Sequence, residues 1–131
     1  MGKLGLIQVA CASNTNGKLD GHFGSCEQFL IYQVSAGDVS LVDVRKVDDS
    51  TSRDKTMHRA SLINDCDIVY LCDIGGPAAA KVIKTGIFPV KQAAEIDAIE
   101  LMRKLSDRLA SKPAPWLAKI MQSRSQNCLV T

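Results

Sequence analysis

The 131-residue chain is 46% hydrophobic and 23% charged, a balance that supports one packed core and excludes a disordered polypeptide. Its formal net charge of +2 excludes the basic stripe that marks nucleic-acid binders, and no run reaches the roughly 18 to 20 apolar residues of a membrane-spanning helix. The five cysteines are odd in number and show no C-x-x-C spacing, which excludes a disulfide framework or a zinc ribbon and suits a reducing cytoplasm.

The first element is the apolar run Leu4 to Ala12, the pattern of a strand buried on both faces. Turn residues from Ser13 to Gly17 end it. Phe29–Val34 and Val39–Val47 read as a hairpin, and the alternation of the second strand slips once, between Leu41 and Val42. Asp54 caps a helix running to about Asn64, with Met57, Ala60 and Ile63 at helical spacing. The basic residues Arg45, Lys46, Arg53, Lys55 and Arg59 alternate with Asp43, Asp48, Asp49 and Asp54, the pattern of a solvated face, and His58 joins them as a surface residue.

Asp67–Ile74 is a further buried strand, and Gly75-Gly76-Pro77 opens a helix that Gly86 stops. Ile87–Val90 is a brief strand whose proline places it at an edge. Ile96, Ile99, Met102, Leu105 and Leu109 form the apolar stripe of an amphipathic helix, which Pro113-Ala114-Pro115 breaks. Trp116, Leu117, Ile120 and Met121 fit a short terminal helix over the core, followed by a flexible tail from 123 to 131. The order β-β-β-α-β-α-β-α implies one α/β domain, residues 1–122, with a mixed five-stranded sheet and flanking helices.

In open α/β sheets ligands gather at the carboxyl ends of strands. Two loops qualify here. One follows the first strand and carries Asp20-Gly21-His22-Phe23-Gly24 and then Cys26; its glycines admit tight turns and close approach, and its imidazole is a potential metal ligand. The other carries Cys72, Gly75 and Gly76 and leads into a helix N-terminus suited to an anion. If the two strands are adjacent, both loops share one rim, and imidazole, thiols and helix end together suit a sulfur-rich anionic metal cluster.

Plainer readings stand beside these. His22 is then a turn residue, Gly75-Gly76-Pro77 a tight turn lacking the lysine of a P-loop, and Cys66 and Cys72 core residues on one sheet face. Cys26, flanked by Ser25, Glu27 and Gln28, is as easily exposed as buried. For catalysis, Cys26 with His22 lacks an orienting third group. Asp20, Asp43 and Asp73, the best carboxylates for a metal-dependent nuclease, each sit beside turn residues that place them in water regardless.

Gly21-His22-Phe23-Gly24, Phe29-Leu30-Ile31-Tyr32, Gly75-Gly76-Pro77-Ala78-Ala79-Ala80, Gly86-Ile87 and Pro115-Trp116-Leu117 together resemble the dinitrogenase iron–molybdenum cofactor-binding domain. That domain belongs to the nitrogenase accessory proteins NifX, NifY and NafY and to the C-terminus of NifB. The resemblance covers residues 4 to 122 and is nearest to the core of NafY. It implies a ribonuclease H-like fold without nuclease activity, and a cytoplasmic, non-enzymatic carrier of the iron–molybdenum cofactor or its precursor. The implied partners are apo-dinitrogenase and other cofactor-biosynthesis proteins, and His22 is the implied metal ligand. Gly21, Phe23 and Gly24 of the same turn, with Gly75, Gly76, Cys26 and Cys72, complete the candidate cofactor site; the two cysteines rest on the loop argument alone. NafY-type proteins carry an additional N-terminal domain, whereas this sequence begins almost at its first strand; if it is a fragment, weakened or absent docking to apo-dinitrogenase is expected.

Overall fold

β1 (Ile7–Ser13) is buried at all seven positions, as a strand with neighbours on both edges and layers on both faces must be. It is the middle strand of the sheet in a computed structural model that describes residues 6–14, 17–48, 53–92 and 96–110. The expected terminal helix and tail lie outside the described residues.

On one side of β1 runs β3 (Gln28–Ser35), antiparallel, and beyond it β4 (Asp38–Lys46). On the other side are β5 (Ile68–Leu71) and the edge strand β6 (Phe88–Lys91), both parallel to β1 and its neighbour. The order is therefore β4-β3-β1-β5-β6, the mixed five-stranded sheet expected. In the hairpin Ile31 pairs with Asp43 and Tyr32 with Leu41, which leaves Val42 as the extra residue of a β-bulge. That bulge is the slip in alternation visible in the sequence.

The two sheet faces carry separate cores. α3 (Ala98–Ala110) lays Ala98, Leu101, Met102, Leu105 and Leu109 against Ile7, Val9, Leu30, Tyr32, Ile68 and Tyr70. Ser106 of α3 also fixes the hairpin turn, donating to Ser35 O at 2.6 Å and accepting from Gly37 N–H at 2.9 Å. Ala60 and Ile63, from α1 (Lys55–Leu62) and its C-cap, and Val82 of α2 (Gly76–Lys84) cover Ala10, Ala12, Phe29, Ile31, Val69 and Leu71 on the opposite face. Asp54 caps α1 as expected, accepting from Met57 N–H at 3.1 Å.

Three findings depart from the sequence pattern. A two-stranded antiparallel sheet pairs β2 (Lys18–Leu19) with β7 (Ile96–Asp97); two-residue strands are too short to show alternation. Ile96 accordingly precedes α3 instead of starting it. Cys66 and Cys72 do not share a sheet face: Cys66 lies in the turn before β5, where alternation has not begun, and is buried among the α1/α2 core, while Cys72 is only half-buried. Arg59 belongs to no solvated face, being only 6% exposed.

Candidate functional site

Because β1, β5 and β6 are parallel, their carboxyl ends form one rim, and the adjacency of β1 and β5 brings the two candidate loops together. The loop after β1 leaves the sheet and returns. Asn14 clasps its base: its amide N–H donates to Asp20 Oδ1 (2.7 Å), and its Oδ1 accepts from Glu27 N–H (3.1 Å). Asp20 is thus a clasp, Asp43 is ion-paired to Arg45, and Asp73 to Lys91, so the three carboxylates of a nuclease set have separate employments.

The returning segment extends the sheet beyond the end of β1. Gly21 N–H donates to Ala12 O (3.2 Å), Cys72 N–H to Gly21 O (2.8 Å) and Phe23 N–H to Asp73 O (2.9 Å), so that His22 sits opposite Asp73 as a parallel bridge. Ser25 and Cys26 then close the turn by donating to His22 O at 3.2 and 2.9 Å. The Phe23 ring is fully buried, 6.0 Å from that of Phe29, and anchors the turn in the core. The imidazole of His22 is exposed on top of this platform.

Gly21 has a packing role rather than a conformational one. A Cβ there would lie 2.7 Å from Cys26 Cβ and 3.0 Å from backbone atoms of Ala12 and Ser13, and its φ is not positive. A Cβ at Gly24, Gly75 or Gly76 would meet nothing within 4 Å, and none of these exposed glycines has positive φ. Gly75 is the N-cap of α2 without any side-chain cap, and Pro77 follows in the first turn. The rim around His22 is therefore bare backbone at three points.

Cys26 corrects the idea of an exposed thiol. It is 1% exposed, tucked under the turn with Sγ 3.3 Å from an Arg59 guanidinium nitrogen. Burial pushes this thiol up to about 11, against the pull of the neighbouring guanidinium. Phe23, likewise, offers only its backbone at the rim. Cys72 is nearer the surface, its Sγ 3.8 Å from Leu19 O. Sequence reasoning missed Lys91, which reaches from the end of β6 to Asp73 Oδ1 at 3.0 Å. With Ile74 N–H donating to the same oxygen, Lys91 holds the Asp73 carboxyl below its usual range. His22, Asp73 and Lys91 thus stand on three neighbouring segments of the rim.

Among the described residues, no group of three or more His, Cys, Asp or Glu converges as a metal cage. Two clefts among the described residues, about 350 Å³ beside Arg103 and Ser106 and about 430 Å³ beside Glu27 and Lys46, are not lined by His22. Among the described residues, the rim presents the exposed imidazole of His22.

The family described as dinitrogenase iron-molybdenum cofactor matches residues 5–108. The chain belongs to this family. Its similarity to Protein NifY of Azotobacter vinelandii is 43% identity over 116 residues, 88% of this chain but 48% of the relative. To Protein NifX of Herbaspirillum seropedicae it is 29% identical over 127 residues, 94% of this chain and 87% of the relative. The chain therefore spans about half the length of that NifY and most of that NifX. The fold is that of the crystal structure of PH0822, with a TM-score of 0.64 at 21% identity over 76% of this chain and 88% of that one. These matches establish the NifX/NifY family as a whole without singling out NafY. They support a role in nitrogenase cofactor biosynthesis or handling.

Proposed function

We propose that the protein carries the iron–molybdenum cofactor or its precursor in the cytoplasm and delivers it to apo-dinitrogenase, with His22 as the protein ligand to the cluster. One observation carries this reading: an exposed imidazole on a hydrogen-bonded platform, in a family bearing the cofactor's name. A carrier must hold its cargo yet yield it to a stronger acceptor. One imidazole does that, where a cage of thiolates would retain the metal. Bare backbone at Gly24, Gly75 and Gly76 leaves room for a large cluster to approach, and the N-terminus of α2, which has no side-chain cap, favours negative charge.

His22→Ala removes the ligand while sparing the fold, since the side chain is exposed and the bonds of the platform are made by backbone. Anaerobic titration with isolated cofactor is expected to show binding weakened by more than about tenfold, the lower end of what losing even a ligand's supporting contact costs. Equal affinities would remove His22 from the site. Absence of molybdenum and iron on the wild-type protein after such incubation would leave an interaction module that binds no cluster.

A further inference from the structure

Arg59 is the one arginine described as buried, and it lies directly beneath the His22 turn. Taking a guanidinium out of water costs several kcal/mol unless its donors are well matched. A leucine in this part of α1, beside Ala60 and Ile63, would fill apolar space without that cost. What the guanidinium touches is specific. One nitrogen donates to Phe23 O at 3.0 Å and to Cys26 O at 2.8 Å, and lies 3.3 Å from Cys26 Sγ.

Those two carbonyls bracket the outer half of the turn, while His22 O takes the amides of Ser25 and Cys26. The peptide planes on the carboxyl side of His22 are therefore fixed from below by α1, and those on its amino side by β1 and β5. Without a cation there, the Cys26 carbonyl would lose its charged donor and the Phe23 carbonyl would keep only the weak donation of the Cys26 thiol at 3.9 Å. The turn could satisfy them only by rolling toward water, and the imidazole would roll with it. We infer that Arg59 is a positioning residue for cargo binding: it holds the 22–26 turn so that the His22 imidazole stands pre-aimed over the rim.

This inference rests on the carrier reading and deepens it. A preorganised ligand binds more tightly because its ordering cost is met by folding. Loss of the clamp is then expected to weaken cargo binding through His22. Four proteins test it by anaerobic titration with isolated iron–molybdenum cofactor: wild type, Arg59→Met, His22→Ala and the double variant, each confirmed folded by circular dichroism. Arg59→Met is expected to lose about tenfold or more in affinity, the range typical of groups that orient a metal ligand. The double variant is expected to bind no worse than His22→Ala alone. Arg59→Lys, whose ammonium supplies three donors to the same three acceptors, is expected to restore binding to within about threefold of wild type, because a shared point charge replaces the NH1 contacts. Amide exchange at Ser25 and Cys26 should quicken in Arg59→Met while β1 and β5 stay protected.

Should Arg59→Met fail to fold, Arg59→Leu, which likewise supplies no donor to the two carbonyls, takes its place in the cycle. Wild-type affinity in a folded Arg59→Met or Arg59→Leu protein, with His22→Ala impaired, overturns the positioning role alone. Additive losses in the double variant overturn it too, since Arg59 would then act independently of His22. An unimpaired His22→Ala variant would sink the carrier reading first and this inference with it.

Discussion

Arg45 and Arg59 stand fourteen positions apart in one charge-rich stretch, and the fold gives them opposite surroundings. Arg45, on β4, keeps a quarter of its side chain in water and pairs chiefly with carboxylates, Asp43 at 2.9 Å and Asp65 through two parallel bonds of 2.7 and 2.9 Å, with one further donation to Leu62 O at 2.7 Å. Arg59, on α1, is withdrawn from solvent and bonds to backbone carbonyls and a thiol. The first joins two surface segments by charge, in a solvent that competes for both partners. The second fixes the shape of one turn away from water. An identical side chain is a weak surface bridge in one place and a clamp under the candidate rim in the other, and burial makes the difference.

The largest expected effect breaks this comparison if it is wrong. Arg59→Met should lower the free energy of unfolding by about 3 kcal/mol, because two buried carbonyls lose their donor, whereas Arg45→Met should cost about 0.5 to 1 kcal/mol, the range for exposed pairs. Urea denaturation of the two variants checks both, and equal losses would mean that the clamp is no stronger than the bridge.

Next in size is a contrast between two glycines of the same turn. Gly21→Ala forces a Cβ to within 2.7 Å of Cys26 Cβ and should cost about 2 kcal/mol, as overpacking does. Gly24→Ala meets open space and should stay within about 0.5 kcal/mol of wild type. Thermal melts of the pair would sharpen how rigid the platform is; a neutral Gly21→Ala would mean that the turn gives way easily.

The smallest effect depends on pH and belongs to Arg45. The Arg45 guanidinium holds the Asp65 carboxyl down at about 2, against 3.8 for the free group. A depressed folded value means that the pair's stabilisation is fully present above about pH 4 and is lost as pH falls toward 2. Wild-type stability should therefore fall more steeply across that window than that of Arg45→Met, the two curves converging near pH 2. With Asp65 about half exposed, the gap between them should not exceed about 1 kcal/mol. Parallel curves in an acid titration would remove Asp65 as Arg45's principal partner.

Much of the architecture was legible in the chain because its signals are local. An aspartate before a helical stripe caps that helix through its own oxygen, as Asp54 does, and a slip in alternation is a bulge, as at Val42. The candidate rim was legible too, conditional on the adjacency of β1 and β5 that the sheet supplies. Cys26 was not legible: its polar neighbours Ser25 and Glu27 are exposed, yet the turn directs the thiol inward. Lys91 was hidden for the opposite reason, since nothing near it in sequence marks it, and only the parallel pairing of β6 with β5 brings it to Asp73.

Sequence alone determined the order and kind of the main elements and the two turns that flank the rim, and singled out His22 as the candidate at its centre, because periodicity, capping and turn chemistry act over a few neighbouring residues. Tertiary structure alone decided which charges are buried and which side chains meet. Arg59 reads as one more cation in a polar run until α1 packs across the sheet. Only then does its guanidinium find the carbonyls of Phe23 and Cys26, more than thirty residues away, as its substitute for water.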